Sequence, residues 1–359
     1  MVINVVIERG EIMKSLDIDY LELNALPIGL GQMMQTLGEY KGKQDLYTKQ
    51  TPQVLETLKQ AAMIQSSESS NRIEGITVVP ERLKAILLQH SKPKDRSEAE
   101  IIGYRNVLEK IHIQFDSMDL TPQTILKFHE DMLKASGIPA GMWKQKDNTI
   151  EERLPEGRWV TRFVPVSSQE TPYYMEESCK MFQRHWNEGK ISKLILIPSI
   201  ILDFLCIHPF MDGNGRISRL LTVLLLHKAG YEVARYISLE RIIENTKTSY
   251  YDVLHRSSQH WHEGRHDIKP WWEYFLFTLI TAYRELEDRV GAITKGRGAK
   301  TNLIESAVEN MPSIFGISDI CRACPSVGRD MIRIVLNKLR RSGKLQSTGM
   351  GRGAKWRKN

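Results

Sequence analysis

The sequence predicts a mainly α-helical protein with one small β-hairpin and a basic segment at its C-terminal end. Three observations support this prediction. Apolar residues recur at helical spacing along most of the 359 residues, the segment 141–165 has strand-like character, and positive charge is concentrated after residue 300. The hydrophobic fraction of 41% and the charged fraction of 26% are typical of globular proteins, and the length is sufficient for two or three domains.

The predicted helices have apolar residues three or four positions apart, and several start at a capping residue or a proline. They are 52–66 or beyond, 80–90, 97–136 with a break at Thr121-Pro122, 172–187, 193–207, 217–229, 239–262 and 270–290. The helix at 193–207 is apolar on nearly all sides, which predicts a place at the centre of a bundle. Residues 1–50 contain a strand-like run at Val2–Glu8, residues 66–75 are polar and serine-rich, and residues 92–96 have the composition of a linker.

Residues 301–359 hold 11 Lys/Arg and 4 Asp/Glu, whereas the rest of the chain holds 39 of each, so the whole net charge of +7 lies in this segment. Predicted helices at 302–310, 318–324 and 326–342, the last stopped by Gly343, precede a predicted hairpin at 344–357. This order is that of a winged helix-turn-helix, which binds either DNA or a protein. The candidate DNA contacts are Arg329, Arg333, Asn337 and Arg340 on the recognition helix, and Arg352, Lys355, Arg357 and Lys358 on the wing.

No apolar run reaches the roughly 18 to 20 residues that span a bilayer, and we expect a cytoplasmic protein without a membrane partner. Four cysteines without a regular spacing argue against a disulfide framework. Cys321 and Cys324 form a single CxxC pair, which is insufficient for a zinc site. Cys206 ends an apolar helix, where we expect it to pack rather than react.

The most specific feature is the segment from His208 to Arg219, HPFMDGNGRISR. Its glycine-rich turn between two predicted helices presents backbone N–H groups and the positive end of a helix dipole, as a phosphate requires. Arg216 and Arg219 lie on one helix face and can donate charge-assisted hydrogen bonds to phosphate oxygens. Asp212 is suited to hold Mg²⁺ beside phosphates, and His208, with a pKa expected near neutrality, is suited to take a proton.

This segment resembles the HxFx[D/E]GNGRxxR signature of the Fic family at every defined position. The resemblance covers about residues 60–290 and implies a Fic-type helical bundle that transfers AMP from ATP, with Mg²⁺, to a Ser, Thr or Tyr hydroxyl of a target protein. It implies His208 as general base, Asp212 as Mg²⁺ ligand and Phe210 as a packing residue. The implied ATP contacts are Gly213, Asn214 and Gly215 on the α and β phosphates and Arg216 and Arg219 on the β and γ phosphates.

Two flanking regions extend the resemblance. The hairpin at 141–165 corresponds to the family's flap, which aligns the target segment by strand addition. Tyr251 falls where the family carries a tyrosine near the adenine or ribose, although core packing is an open alternative for both Tyr250 and Tyr251.

The segment from Ser70 to Gly75 is similar to the family's inhibitory motif, [S/T]xxxE[G/N]. Glu74 is expected to pair with Arg219 and so to occupy the arginine that holds the γ phosphate. The predicted domains are therefore 1–92 with the inhibitory helix, 93–292 as the Fic core and 293–359 as the winged helix. The resemblance also implies a homodimer.

Other functions remain open from the sequence. The same site could transfer another phosphate-containing group, or remove AMP with Glu74 orienting water. A different hypothesis is a transcriptional regulator whose Fic core senses a nucleotide, which the basic C-terminal segment supports. The complete signature favours the enzyme as the primary role.

Overall fold

The structure is a computed structural model that describes residues 15–24, 26–50, 52–88, 91–153, 156–294, 299–324, 327–348 and 355–358. Its helices are α1 (Ile18–Leu23), α2 (Ile28–Gln50), α3 (Pro52–Ile73), α4 (Pro80–Leu88), α5 (Arg96–Gln114), α6 (Pro122–Leu133), α7 (Thr171–Glu188), α8 (Lys193–Ile207), α9 (Asn214–Lys228), α10 (Leu239–Asn245), α11 (Lys247–Ser258), α12 (Lys269–Thr294), α13 (Ala299–Asn310), α14 (Ile317–Ala323) and α15 (Arg329–Arg341). The strands are β1 (Ile150–Arg153), β2 (Trp159–Phe163), β3 (Ile314–Gly316), β4 (Leu345–Thr348) and β5 (Lys355–Lys358). The strand-like run at 2–8 lies outside the described residues.

Helix α8 lies at the centre of the helical body, as its apolar sequence predicts, and its bounds match the prediction. Every residue from Leu194 to Ile207 is buried. Two polar atoms of α8 that this burial removes from water are paired with α12. The indole N–H of Trp271 donates to the Pro198 carbonyl at 2.8 Å, and that of Trp272 donates to the Ser199 hydroxyl at 3.0 Å. Because α8 is closely packed along its whole length, it positions His208, the residue that follows it.

Helix α2 is a clear difference from the prediction. The sequence does not indicate it because four glycines weaken the helical signal, each by about 1 kcal/mol relative to alanine. Packing against α12 compensates for this cost. Leu30 and Leu37 are buried, and the Tyr40 ring stacks on Tyr283 with the centroids 5.2 Å apart.

Helix α3 agrees with its predicted range of 52–66 or beyond, whereas the helix predicted over 239–262 differs in its bounds. Helix α3 continues through the serine-rich stretch, because serines such as Ser66 are buried and bonded, in this case to Glu240 at 2.6 Å. The prediction of one helix over 239–262 is wrong, since the chain breaks at Thr246 between α10 and α11. The Thr246 hydroxyl hydrogen-bonds the Ile242 carbonyl at 2.9 Å and the Tyr274 hydroxyl at 2.8 Å, competing with the helical pattern.

Helices α5 and α6 cross closely at Gly103, where an added Cβ would lie 1.8 Å from the Met132 carbonyl oxygen. Backbone cannot move aside cheaply, so we expect Gly103→Ala to lower the free energy of unfolding by about 1–3 kcal/mol. Urea denaturation measures this change. Gly38→Ala in α2 is the matched control, because its Cβ would meet nothing within 4 Å and should be neutral or stabilising. Equal destabilisation by both variants would contradict the crossing as the cause.

The C-terminal part consists of α13, α14, α15 and a three-stranded antiparallel sheet in the order β3-β5-β4. The predicted hairpin is present as β4 and β5, whereas β3, only three residues long, is not predicted. Gly343 follows α15 with φ 76°, as its predicted role as a helix stop requires. Helices α13 and α14 contact α3, and buried residues such as Phe315 and Trp356 continue the apolar cluster of the helical body. Within the described ranges, no helix is long and apolar enough to cross a membrane.

Candidate active site

The chain turns sharply between α8 and α9. His208 follows α8 with a left-handed backbone, φ 51°, and Gly213 precedes α9 with φ 87°, a conformation that glycine adopts at little cost. Helix α9 begins at Asn214, three residues earlier than the predicted start at residue 217. The first turn of α9, which includes Gly215, therefore presents its free N–H groups and positive dipole end to the concave side of the turn.

Phe210 fixes the conformation of this turn. Its fully buried ring stacks on the His129 ring with the centroids 3.7 Å apart and the planes at 3°. The Asn214 side chain holds the Phe210 backbone on both sides, accepting from its N–H at 2.9 Å and donating to its carbonyl at 2.8 Å. The packing role implied for Phe210 thus has a direct geometric basis, and the backbone of Asn214 is left for an anion.

Helix α6 and the segment after it supply two supporting residues. The Gly141 N–H donates to His129 Nδ1, so His129 Nε2 carries the proton and donates to the Asp212 carbonyl at 3.1 Å. Lys144 is buried and its Nζ donates to the Ile207 carbonyl at 3.1 Å, at the end of α8. Sequence reasoning missed both residues, since a lone histidine and a lone lysine have no spacing that identifies them.

His208 is held in one tautomer. Its Nδ1 lies 3.3 Å from the Leu205 carbonyl oxygen, which can only accept, so Nδ1 carries the proton and Nε2 does not. Burial lowers the pKa of His208 to about 4, and the nearby Lys144 cation acts in the same direction. The pKa therefore lies below the near-neutral value expected from the sequence, and the imidazole is neutral at physiological pH with Nε2 free to accept a proton.

Arg216 lies differently from its implied role as a phosphate contact. Its side chain is fully buried and pairs with Glu100, which α5 carries and which is itself buried. It also donates to Asn71 Oδ1 at 3.3 Å and to Asp212 Oδ1 at 3.1 Å. A buried carboxylate requires a cationic partner, so Glu100 competes with a phosphate for the side chain of Arg216. No local sequence pattern reveals this competition, because Glu100 lies on another helix. In this structure Arg216 orients Asp212, a residue of the turn, and its role as a phosphate contact stays a prediction.

The second Asp212 oxygen also has a guanidinium partner. Arg96, at the start of α5, donates from Nη2 to Asp212 Oδ2 at 2.7 Å and from Nε to Glu100 Oε1 at 2.5 Å. Across the described residues there is no group of three or more His, Cys, Asp or Glu side chains arranged to hold a metal. A single half-exposed carboxylate still fits Mg²⁺ that takes its other ligands from phosphates and water.

Glu74 and Arg219 form the pair expected from the sequence. Arg219 Nη2 lies 2.7 Å from Glu74 Oε1 and 2.9 Å from the Ser70 carbonyl, and its Nε donates to the Ser70 hydroxyl at 2.8 Å. The Glu74 carboxylate lies against the turn, since a Cβ at Gly215 would be 2.2 Å from its Oε1. Arg219 Nη1 is buried and has no hydrogen-bond partner in the part of the chain that the structure describes. This donor, beside Gly215, fits a phosphate oxygen.

The two tyrosines have different surroundings. Tyr250 is buried near Arg219, and burial raises its pKa to about 12, which matches the packing alternative. Tyr251 is 41% exposed and lies close enough to Glu74 to interact electrostatically, so it is the tyrosine open to a ligand.

The hairpin of β1 and β2 is antiparallel, with Arg153 opposite Trp159 and Ile150 opposite Phe163. His262 Nε2 donates to the Val164 carbonyl at 2.8 Å and ties the base of the hairpin to the helical body. Trp159 at its tip is 62% exposed. The predicted β element is therefore present, as a two-stranded ribbon.

Comparison with known proteins gives consistent results. Residues 119–226 match the model of the Fic/DOC family. Curated relatives include the protein adenylyltransferase Fic of Drosophila melanogaster, 28% identical over 224 residues, which is 60% of this chain and 40% of that protein. The corresponding protein of Drosophila persimilis is 26% identical over 254 residues, 67% of this chain and 45% of its own length. The chain thus spans less than half the length of these relatives.

Solved structures show the same fold. A Fic family protein from Desulfovibrio desulfuricans is 19% identical, with a TM-score of 0.61 over 93% of this chain and 97% of that chain. Fic-1 from C. elegans is also 19% identical, with a TM-score of 0.57 over 76% of this chain and 78% of that chain. These likenesses show a Fic fold around the turn at 208–219, in a chain whose residues 119–226 match the Fic/DOC family model and whose sequence is distantly similar to the Fic adenylyltransferases.

Proposed function

We propose that the protein transfers AMP from ATP to a Ser, Thr or Tyr hydroxyl of a target protein. One observation carries this proposal. His208, with its unprotonated Nε2, belongs to the turn that leads into α9, whose first N–H groups have no partner within the helix. Beside Gly215 in that first turn, the buried Arg219 Nη1 lacks a hydrogen-bond partner among the described residues. The N–H groups of the first turn of α9 and the Arg219 guanidinium together form an anion nest. A proton acceptor beside this nest suits attack by a hydroxyl on a phosphate group. The names of the Drosophila relatives support the same activity.

The chemistry follows from these positions. His208 Nε2 takes the proton of the target hydroxyl as its oxygen bonds to the α phosphorus of ATP, and the bond from that phosphorus to the β-phosphate oxygen breaks. Pyrophosphate leaves with the electron pair. The N–H groups of the first turn of α9 and the guanidinium of Arg219 stabilise the charge on the phosphate oxygens. Mg²⁺, held by Asp212 and the phosphates, would neutralise charge on the leaving group.

The hairpin is proposed to place the target. A two-stranded ribbon has an outer edge on each strand, and an extended segment can add to such an edge through backbone hydrogen bonds. This mode positions a hydroxyl without requiring one target sequence.

Glu74 is proposed to restrain the reaction. Its carboxylate uses the Nη2 donor of Arg219 and fills the space beside Gly215, where a phosphate oxygen would otherwise lie. ATP would then bind without its α phosphate in line for attack.

Intact-mass spectrometry tests the activity. The Glu74→Gly protein is incubated with ATP, Mg²⁺ and a cell lysate, and modified proteins, including the enzyme itself, are isolated. We expect a mass gain of about 329 Da for AMP, whereas about 80 Da would mean phosphoryl transfer. Loss of 329 Da from a target already carrying AMP, with Glu74 orienting water, would instead show removal as the main reaction. No mass change on any protein would contradict the proposed activity.

A second candidate function is DNA binding by the C-terminal part. Arg329, Arg333 and Arg340 are exposed and share one face of α15 with Asn337, at spacings of four, four and three residues. Such a basic helix fits the major groove. Lys355 and Arg357 of β5 also point outward. Of the other predicted wing contacts, Arg352 lies outside the described residues. Lys358 is turned inward, because its Nζ donates to the Glu309 carbonyl at 2.9 Å.

Fluorescence anisotropy with duplex DNA tests this second function. The full chain is expected to bind at 50 mM salt and to lose affinity steeply as salt rises. Arg333→Ala is expected to weaken binding, whereas Lys180→Ala, on an exposed part of α7, is not. Absence of binding at 50 mM salt would remove DNA as the partner and leave a protein partner for this part.

A further inference from the structure

Four charged side chains form a closed cluster beside the turn. Arg96, Glu100, Asp212 and Arg216 contribute two positive and two negative charges, so the cluster is neutral. Glu100 and Arg216 are almost completely buried, whereas Arg96 is 53% and Asp212 48% exposed. The buried pair of Glu100 and Arg216 is therefore fixed, whereas the half-exposed side chains of Arg96 and Asp212 can rearrange.

The two ion pairs on Asp212 differ in strength. Arg216 is anchored behind Asp212 by the buried Glu100 and by Asn71, so it cannot leave without exposing an unpaired buried charge. The pair of Arg96 with Asp212 Oδ2 joins two half-exposed groups, and such pairs contribute little in water. A divalent cation that binds Asp212 would therefore displace Arg96 and leave Arg216 in place.

We propose that Arg96 is a positioning residue that occupies the cation position on Asp212 and yields it to a divalent cation arriving with a polyphosphate. This inference rests on the proposed function in taking Asp212 as the metal ligand. A free dication added to the neutral cluster leaves two uncompensated positive charges, whereas a metal–nucleotide complex brings its own negative charge. A displaced Arg96 would stay tied to Glu100 through Nε, and its Nη2, released from Asp212, would be available to the incoming phosphates.

Binding of Mn²⁺ by the full chain, followed by electron paramagnetic resonance, tests this role without any transfer reaction. Free Mn²⁺ is titrated alone and with a non-hydrolysable ATP analogue. Arg96→Gln is expected to bind free Mn²⁺ about threefold to tenfold more tightly than the wild type, because it leaves Asp212 Oδ2 open and the cluster negative. In the presence of the ATP analogue, the difference in Mn²⁺ affinity between Arg96→Gln and the wild type is expected to shrink. Arg96→Lys, which keeps the charge but loses the fork that spans Glu100 and Asp212, is expected to lie between them.

Lys110→Gln is the matched control, since it removes one positive charge from the same helix but from a pair with Asp131. It is expected to bind Mn²⁺ as the wild type does. Adding Asp212→Asn to Arg96→Gln is expected to abolish the gain, which assigns it to this carboxylate. Equal free Mn²⁺ affinity of the wild type and Arg96→Gln, or an equal gain in Lys110→Gln, overturns the inference. If the Mn²⁺ difference holds while no AMP transfer is found, the proposed function fails and the role of Arg96 stands.

Discussion

His208→Ala, introduced into a chain that also carries Glu74→Gly, is expected to lower the rate of AMP transfer by about 10²–10⁴-fold. The reason is specific to one atom. His208 Nε2 is the unprotonated nitrogen of a neutral imidazole, because Nδ1 donates to the Leu205 carbonyl and burial lowers the pKa of the ring to about 4. Alanine removes this proton acceptor and leaves the anion nest intact. The measurement is the initial rate of label transfer from ATP at saturating nucleotide.

Nucleotide binding provides the control for that variant. Because Arg219 and Gly215 are unchanged, the affinity for an ATP analogue is expected to stay within about threefold of the parent, and the loss should appear in kcat. A His208→Ala protein that binds the analogue normally and still transfers AMP at the parental rate would exclude His208 as the base.

Glu74→Gly alone is expected to raise the rate of AMP transfer about tenfold to a hundredfold. The variant removes a carboxylate that pairs with the buried Arg219 at 2.7 Å and lies against Gly215. A charge-assisted pair of this kind contributes about 1.5–3 kcal/mol, which corresponds to that range of rates. Glu74 lies just beyond the end of α3, so glycine there should not break the helix. Initial rates of automodification at fixed ATP and Mg²⁺ measure the effect.

Two further variants separate inhibition from general loosening of α3. Glu74→Gln keeps the shape but removes the charge, and it is expected to activate less than glycine because the side chain still occupies the nest. Glu68→Gln removes a carboxylate of the same helix that pairs with Arg72 instead, and it is expected to leave the rate unchanged. Activation by Glu68→Gln equal to that of Glu74→Gly would contradict specific inhibition through the pair of Glu74 with Arg219.

The fold was predictable where local pattern and packing agree. Helix α8 is apolar all round and has the bounds that its sequence predicts, and the Thr121-Pro122 start of α6 is confirmed. Helix α2 was not predictable, because its glycines oppose the helix and its support from Tyr283 lies far away in sequence. The break at Thr246 likewise depends on a distant partner, Tyr274.

The candidate site was likewise predictable only in part. The residues at 208–219 share one short segment, so a single sequence motif identifies them. Their supports come from other helices: His129 from α6, and Glu100 and Arg96 from α5. A buried carboxylate on another helix decides whether Arg216 faces inward or toward a ligand, and a local pattern contains no information about it.

Gly215 has a consequence for how ATP itself affects the enzyme. Its missing side chain leaves a space that the Glu74 carboxylate enters, and a phosphate oxygen in the proposed productive position would need the same space. Two occupants that exclude each other are thermodynamically linked, so each weakens the other by the same factor. Productively bound ATP therefore favours the conformer in which Glu74 is withdrawn, so the substrate itself weakens the inhibition that Glu74 exerts.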